Sequence, residues 1–160
     1  PLMGERKPFA LLQSTFNEIQ GQFSPDGRWL AYASNESGRY EIYVRTFPKV
    51  GGKWLVSGSG GMQPRWRHDG RELFYVAPDT QLMAVTLRLA PDAELLEAGP
   101  PVALFAARLA ARGNIPTDGF SARAQYAVAS DGRFLLNMAS DNAVTFPITI
   151  VHNWTMGLKQ

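Results

Sequence analysis

The chain has 160 residues, of which 45% are hydrophobic and 19% charged. That is the composition of one ordinary globular domain and excludes a disordered segment. Sixteen Lys and Arg against 14 Asp and Glu leave a charge of +2, too near balance for an electrostatic nucleic-acid binder, and the absence of Cys excludes disulfides and thiolate metal sites.

Taken in order, Lys7 to Leu12 reads as one short strand with no hairpin partner ahead of it, and Thr15 to Gln20 as a linker. Gly21 to Phe23 begins a strand that turns at Pro25-Asp-Gly27 and returns through Trp29 to Ala33. Asp-Gly between hydrophobic runs is the strongest short hairpin signal, and the expectation is a type I′ turn with positive φ at both central residues. The returning strand is apolar on both faces, which suits a strand covered on both sides. Asn35 to Gly38 and Pro48 to Gly52 are further turns, separating strands at 41–47 and 53–56. Residues 21–57 therefore predict one four-stranded meander.

Ser57-Gly-Ser-Gly-Gly61 is a connector into a second unit, 63–106. That unit turns at Asp69-Gly70, returns along 72–77, and has a third strand at 82–87. A longer arm follows at 88–101. The fourth strand is expected at 102–105, with a short helix over 103–112 as the competing reading. Gly113 to Gly119 reads as a loop. A third, incomplete unit, 123–153, turns at Asp131-Gly132 and carries its last strand at 146–152.

The turn aspartates Asp26, Asp69 and Asp131 lie 43 and 62 residues apart. The first spacing falls in the roughly 40–45 residue period of four-stranded propeller blades, and the second is one period plus an insertion. A blade apolar on both faces buries them only by stacking on its neighbours. The fold expected is all-β: a β-propeller segment of about three four-stranded antiparallel blades spanning residues 1–160. Three blades do not close a ring, since propellers typically have four to eight. Two copies pairing into a six-bladed ring, each lending strand 7–12 to the other's third blade, is one expectation. Missing blades in a longer polypeptide is the other.

Phe23-Ser-Pro-Asp-Gly-Arg-Trp-Leu-Ala-Tyr32, followed by Glu41-Ile-Tyr-Val44, resembles the WD-repeat-like propeller repeat of TolB-type proteins. Its altered copies are Trp66-Arg-His-Asp-Gly-Arg-Glu-Leu-Phe-Tyr75 and Val128-Ala-Ser-Asp-Gly-Arg-Phe-Leu-Leu-Asn137. The ending, Phe146 to Lys159, is similar to the C-terminal ends of bacterial proteins that carry such propellers, many of them serine/threonine protein kinases. The resemblance implies a sensory or protein-binding propeller. It implies no kinase activity here, because the chain has no Gly-rich phosphate loop, His-Arg-Asp loop or Asp-Phe-Gly.

Candidate chemical groups are few, and each has a bland reading that fits better. Asp26, Asp69 and Asp131 suit turns that Asp caps through its own side chain, and neither Asp26 nor Asp69 has an acid or amide two residues earlier, as a calcium loop requires. His68 reads as a surface turn residue and His152 as a strand end, both without ligand-spaced partners. Ser59 has Ser57 where a nucleophile elbow needs Gly, and Gly52-Lys53 lacks the rest of a phosphate loop. Arg65, Trp66 and Arg67, with Arg28, Arg71 and Trp29, form a basic-aromatic group, but alternation sends Trp66 between blades and the arginines to the channel or solvent. Trp29, Tyr32, Tyr43, Trp54 and Tyr75 read as inter-blade core. No catalytic, cofactor or metal residue is assigned and no cofactor is expected.

The expected role is a non-catalytic module binding a protein, peptide or small ligand at one propeller face, with loops 35–40 and 58–64 as candidates. Neither nucleic acid nor direct membrane insertion is expected, and a periplasmic or extracytoplasmic setting is favoured over others. Two other readings remain: an accessory propeller of a prolyl-oligopeptidase-type serine peptidase, and a TolB-like periplasmic envelope protein.

Overall fold

The computed structural model describes residues 10–48, 51–89, 95–107, 109, 124–138 and 148–151, the last as backbone only. All regular structure among them is β. The first sheet is a meander of β1 (Glu18–Phe23), β2 (Trp29–Ser34), β3 (Glu41–Thr46) and β4 (Lys53–Leu55), every neighbouring pair antiparallel. The second follows the same plan with β5 (Met62–Trp66), β6 (Glu72–Val76) and β7 (Gln81–Leu89). The third has β10 (Tyr126–Val128), β11 (Phe134–Asn137) and β12 (Ile148–Val151). Three consecutive antiparallel meanders stack face to face, which is the arrangement of a propeller arc.

The outer edge of the second blade departs from expectation. Instead of ending near residue 87, β7 runs nine residues, and the supposed arm contributes to the sheet. β8 (Leu96–Ala98) pairs with Leu87 to Leu89, and β9 (Val102–Ala106) pairs with Gln81 to Ala84. The two are one descending strand broken at Gly99-Pro-Pro101, where the prolines have no N–H to give to a ladder. Gly99 N–H still reaches Thr86 O (2.9 Å) across the break. Residues 102–106 are thus strand and not helix, while the expected loop 113–119 lies outside the described residues.

The faces sort by the period of two. Trp29, Ala31 and Ala33 of β2 and Ile42 and Val44 of β3 face the second blade, meeting Leu73, Tyr75, Val85 and Leu87. Phe74, Val76, Leu82 and Ala84 point the other way, onto Tyr126, Phe134 and Leu136 of the third blade. Every residue of β2 is buried, as its two apolar faces predicted. The far face of the first blade carries Leu30, Tyr32 and Tyr43, against which Leu11 and Leu12 pack. Tyr32 and Tyr43 therefore stack on each other there (5.9 Å) rather than between two described blades. Of the expected strand 7–12, residues 10–12 are not strand, and 7–9 lie outside the described residues.

The Asp-Gly-Arg turns take a different geometry from the one expected. Gly27 N–H donates to Ser24 O, Gly70 N–H to Arg67 O and Gly132 N–H to Ala129 O (2.9–3.0 Å). Only the glycines have positive φ, at 70°, 72° and 86°; the aspartates do not. This is the pattern of a type I turn closed by a left-handed residue, and Pro25, whose ring fixes a negative φ, fits it and excludes type I′. Each aspartate Oδ1 accepts the backbone N–H two residues on, from Arg28, Arg71 and Arg133 (3.0–3.1 Å). Ala77 to Gln81 repeats the device, with Thr80 at φ 68° and Asp79 Oδ1 accepting from Gln81 N–H (3.1 Å).

Candidate functional site

The innermost strands are tied to one another by a row of glutamines. Gln20 and Gln63 sit at bulges in β1 and β5, each at φ 59°, an uncommon conformation for a residue with a side chain. Gln63 N–H donates to Gln20 Oε1, and Gln125 N–H to Gln63 Oε1, both at 2.7 Å. The two rungs span 43 and 62 residues of chain, the same intervals as the turn aspartates. All three glutamines stand six residues before their aspartate; the second and third units, expected from 63 and 123, already include theirs, and the first begins upstream of the expected residue 21. For the same reason β1 starts at Glu18, inside the supposed linker. Tyr126 Oη donates to Gln63 O (2.8 Å) and Trp66 Nε1 to Gln22 O (3.0 Å), which fasten the strands along their length.

Where the inner strands end at the Asp-Gly-Arg turns, they leave a cavity of about 390 Å³. Its wall takes Gln22 and Phe23 from β1, Arg65 and Trp66 from β5, His68 from the next turn, and Val128 and Ser130 from the third blade. Among the described residues no carboxylate lines it. Phe23 is half exposed and rests on Phe47 (4.7 Å between ring centroids). Arg65 is held from two sides: Nη1 donates to Pro64 O (2.7 Å), and the guanidinium lies 5.9 Å from the centroid of the Tyr126 ring. Tyr126 is buried, and that burial pushes its hydroxyl well above the usual tyrosine range, with Arg65 opposing part of the rise.

The remaining candidates resolve as structure. Asp26, Asp69 and Asp131 are exposed turn residues. Burial raises the Asp26 carboxyl, but hydrogen bonds from Ser24 Oγ and Arg28 outweigh it and hold the group below the ordinary value. Asp131 is lowered by the Arg133 backbone N–H and guanidinium. Arg28 pairs with Asp26 (2.8 Å), and Arg67 with Glu72 (3.0 Å) and Asp69 (3.6 Å). Lys53 opens β4, pairs with Glu36 (2.6 Å) and lies over Tyr43. His68 is the exposed turn residue expected, but it also borders the cavity. His152 lies outside the described residues. Loops 35–40 and 58–64 sit at the opposite ends of the strands from this cavity, since β1 runs away from them toward the first turn.

Ser57 belongs to a buried clamp that sequence reasoning missed. Glu41, 2% exposed, accepts hydrogen bonds from Ser57 Oγ, from Gly60 N–H (2.8 Å) and from Arg39 Nε (2.7 Å). Ser57 Oγ in turn accepts from Ile42 N–H (2.7 Å). The Gly-Ser connector is therefore fixed by a carboxylate at the start of β3; Ser57 is a structural donor and Ser59 is exposed. Among the described residues, no group of three or more His, Cys, Asp or Glu is placed to hold a metal ion.

No family model matches the chain, and no curated protein matches it. Among solved structures it is similar to an oligogalacturonate lyase from Vibrio parahaemolyticus, at 16% identity and a TM-score of 0.46 over 79% of this chain and 32% of that one. It is also similar to a TolB-like protein from Agrobacterium tumefaciens, at 18% identity and a TM-score of 0.39 over 58% of this chain and 36% of the other. The chain thus spans about a third of the length of each of these two structures.

Proposed function

We propose that this chain is a non-catalytic propeller module whose ligand seats in the cavity between the inner strands. The observation that carries the reading is the wall itself: three blades converge on one concavity of small-ligand size, with aromatic faces and a few polar groups. Among the described residues, Ser130 and His68 are its only groups with nucleophile or base chemistry, no hydrogen bond joins them, and neither has a carboxylate to orient it, which argues for binding over hydrolysis. The resemblance of residues 146–159 to the ends of bacterial propeller proteins, many of them serine/threonine kinases, supports a sensory setting, in which the ligand is the signal. Two copies completing a six-bladed ring is part of the same proposal, read as the mass by light scattering across a dilution series.

The test is amide NMR on the full chain titrated with a fragment library. Binding should move signals from residues 22–25, 65–68 and 127–130 together. Shifts confined to loops 35–40 and 58–64, or turnover of a substrate by the purified chain, would sink the proposal.

A further inference from the structure

We infer that the cavity takes a carboxylate carried beside a flat apolar group, an inference that rests on reading the cavity as the binding site. The argument begins with charge. Arg65 and His68 line the wall, and among the described residues no acid does. Three arginines of the turns are neutralised where they stand, Arg28 by Asp26, Arg67 by Glu72 and Asp69, and Arg133 by Asp131, while Arg71 is exposed and lies outside the wall. Arg65 has no carboxylate partner among the described residues. Its hydrogen bond goes to a neutral carbonyl and its face to a neutral ring.

A guanidinium fixed in a partly enclosed wall without a counter-charge favours an anion arriving from outside, because its field is less screened there than in open water. Carboxylate matches the planar fork of one guanidinium, and its single charge balances that of Arg65. The flat group follows from Trp66 and Phe23. The indole N–H is already donated to Gln22 O, so Trp66 offers the ligand an apolar surface and no donor. Phe23 leaves half its surface open beside it. Such a carboxylate is carried by a free aromatic acid or by the C-terminus of a peptide ending in an aromatic residue, and the wall chemistry is the same for both.

Calorimetry on the full chain distinguishes these sources. The probes are phenylacetate, a short peptide ending in a free phenylalanine carboxylate, and the same peptide as its C-terminal amide. At least one acid should bind at least about tenfold more tightly than the amide, as expected for a charge-assisted hydrogen bond. Arg65→Gln should bring that acid down to the amide's level, and Arg65→Lys should restore part of the difference. Binding of phenylacetate alone identifies a small acid as the ligand type; binding of the peptide acid alone identifies a C-terminus. Equal affinity for acid and amide overturns the carboxylate inference while leaving the cavity as a binding site. No binding by any probe, with fragment shifts elsewhere, overturns both. If Arg65→Gln does not fold, the comparison of acid with amide on the unaltered chain still decides.

Discussion

The two blade interfaces are built on the same skeleton and filled differently. Between the first and second blades, the first presents a nearly flat surface of Ala31, Ala33 and Val44, flanked by Trp29 and Trp54 in edge contact at 5.5 Å, into which Leu73 and Tyr75 fit. Between the second and third, aromatic rings interlock: Phe134 meets Phe74 edge-on at 4.9 Å and Phe105 at 5.8 Å, with Tyr126 at 6.5 Å. Both interfaces carry a glutamine rung at the inner edge. The repeat therefore conserves geometry, through the turn and the rung, and leaves the filling of each interface to local side-chain volume.

The largest effect expected from disturbing this arrangement is in the core. Phe134→Ala and Trp29→Ala each remove a side chain with no exposed surface, and each should cost about 3–5 kcal/mol. In hydrogen exchange, Phe134→Ala should expose the third blade while the first two stay protected, as expected when each repeat contacts only its neighbours. Uniform loss of protection throughout the chain would mean that the interfaces fold as one unit.

Alkaline pH probes the same contrast. Burial pushes the Tyr32 hydroxyl up to about 12, and likewise that of Tyr75, from an ordinary value of 10. A raised value in the folded state means that the contribution is complete below pH 10 and is lost as pH rises toward about 12. Unfolding followed by phenolate absorbance should begin in that window, with Tyr75 reporting the first interface and Tyr126, pushed higher still, the second. A titration in which all the tyrosines ionise at their ordinary value while the fold persists would refute this.

The smallest effect separates strain from bonding in the rung. Gln63→Ala removes the acceptor for Gln125 N–H and leaves a side chain at positive φ, costing about 1–2 kcal/mol. Gln63→Gly loses the same acceptor but relieves the φ strain, so it should be the milder change in urea denaturation. Equal losses would mean that the bulge conformation carries no strain.

Much of this architecture was legible locally. Asp-Gly-Arg marked each inner hairpin, and the apolar run Trp29 to Ala33 announced a strand buried on both faces, because both signals sit within a few residues of chain. What escaped depends on distant partners. Gln20 reads as the end of a linker and Gln63 as the start of the second unit, and neither reads as a tie between blades until the 2.7 Å rungs are seen. Glu41 reads as an exposed strand start; only Ser57 and Gly60, brought back by a full hairpin, explain a buried acid. Gly99-Pro-Pro101 reads as a loop because prolines break ladders, and the strand resumes on either side of them. The cavity was hidden for a related reason: Phe23, Arg65 and His68 belong to separate hairpins, and no local pattern foretells that their ends converge.

The broken outer strand of the second blade has one further consequence. The free rim of a sheet is a template on which another chain can add a strand. Here the nine-residue β7 is flanked at its start by β9 and at its end by β8, with Gly99 spanning the gap to Thr86. The rim that results is interrupted by two residues that cannot donate a backbone hydrogen bond. The prolines that cost the blade a continuous strand thus protect its periphery from edge-to-edge polymerisation.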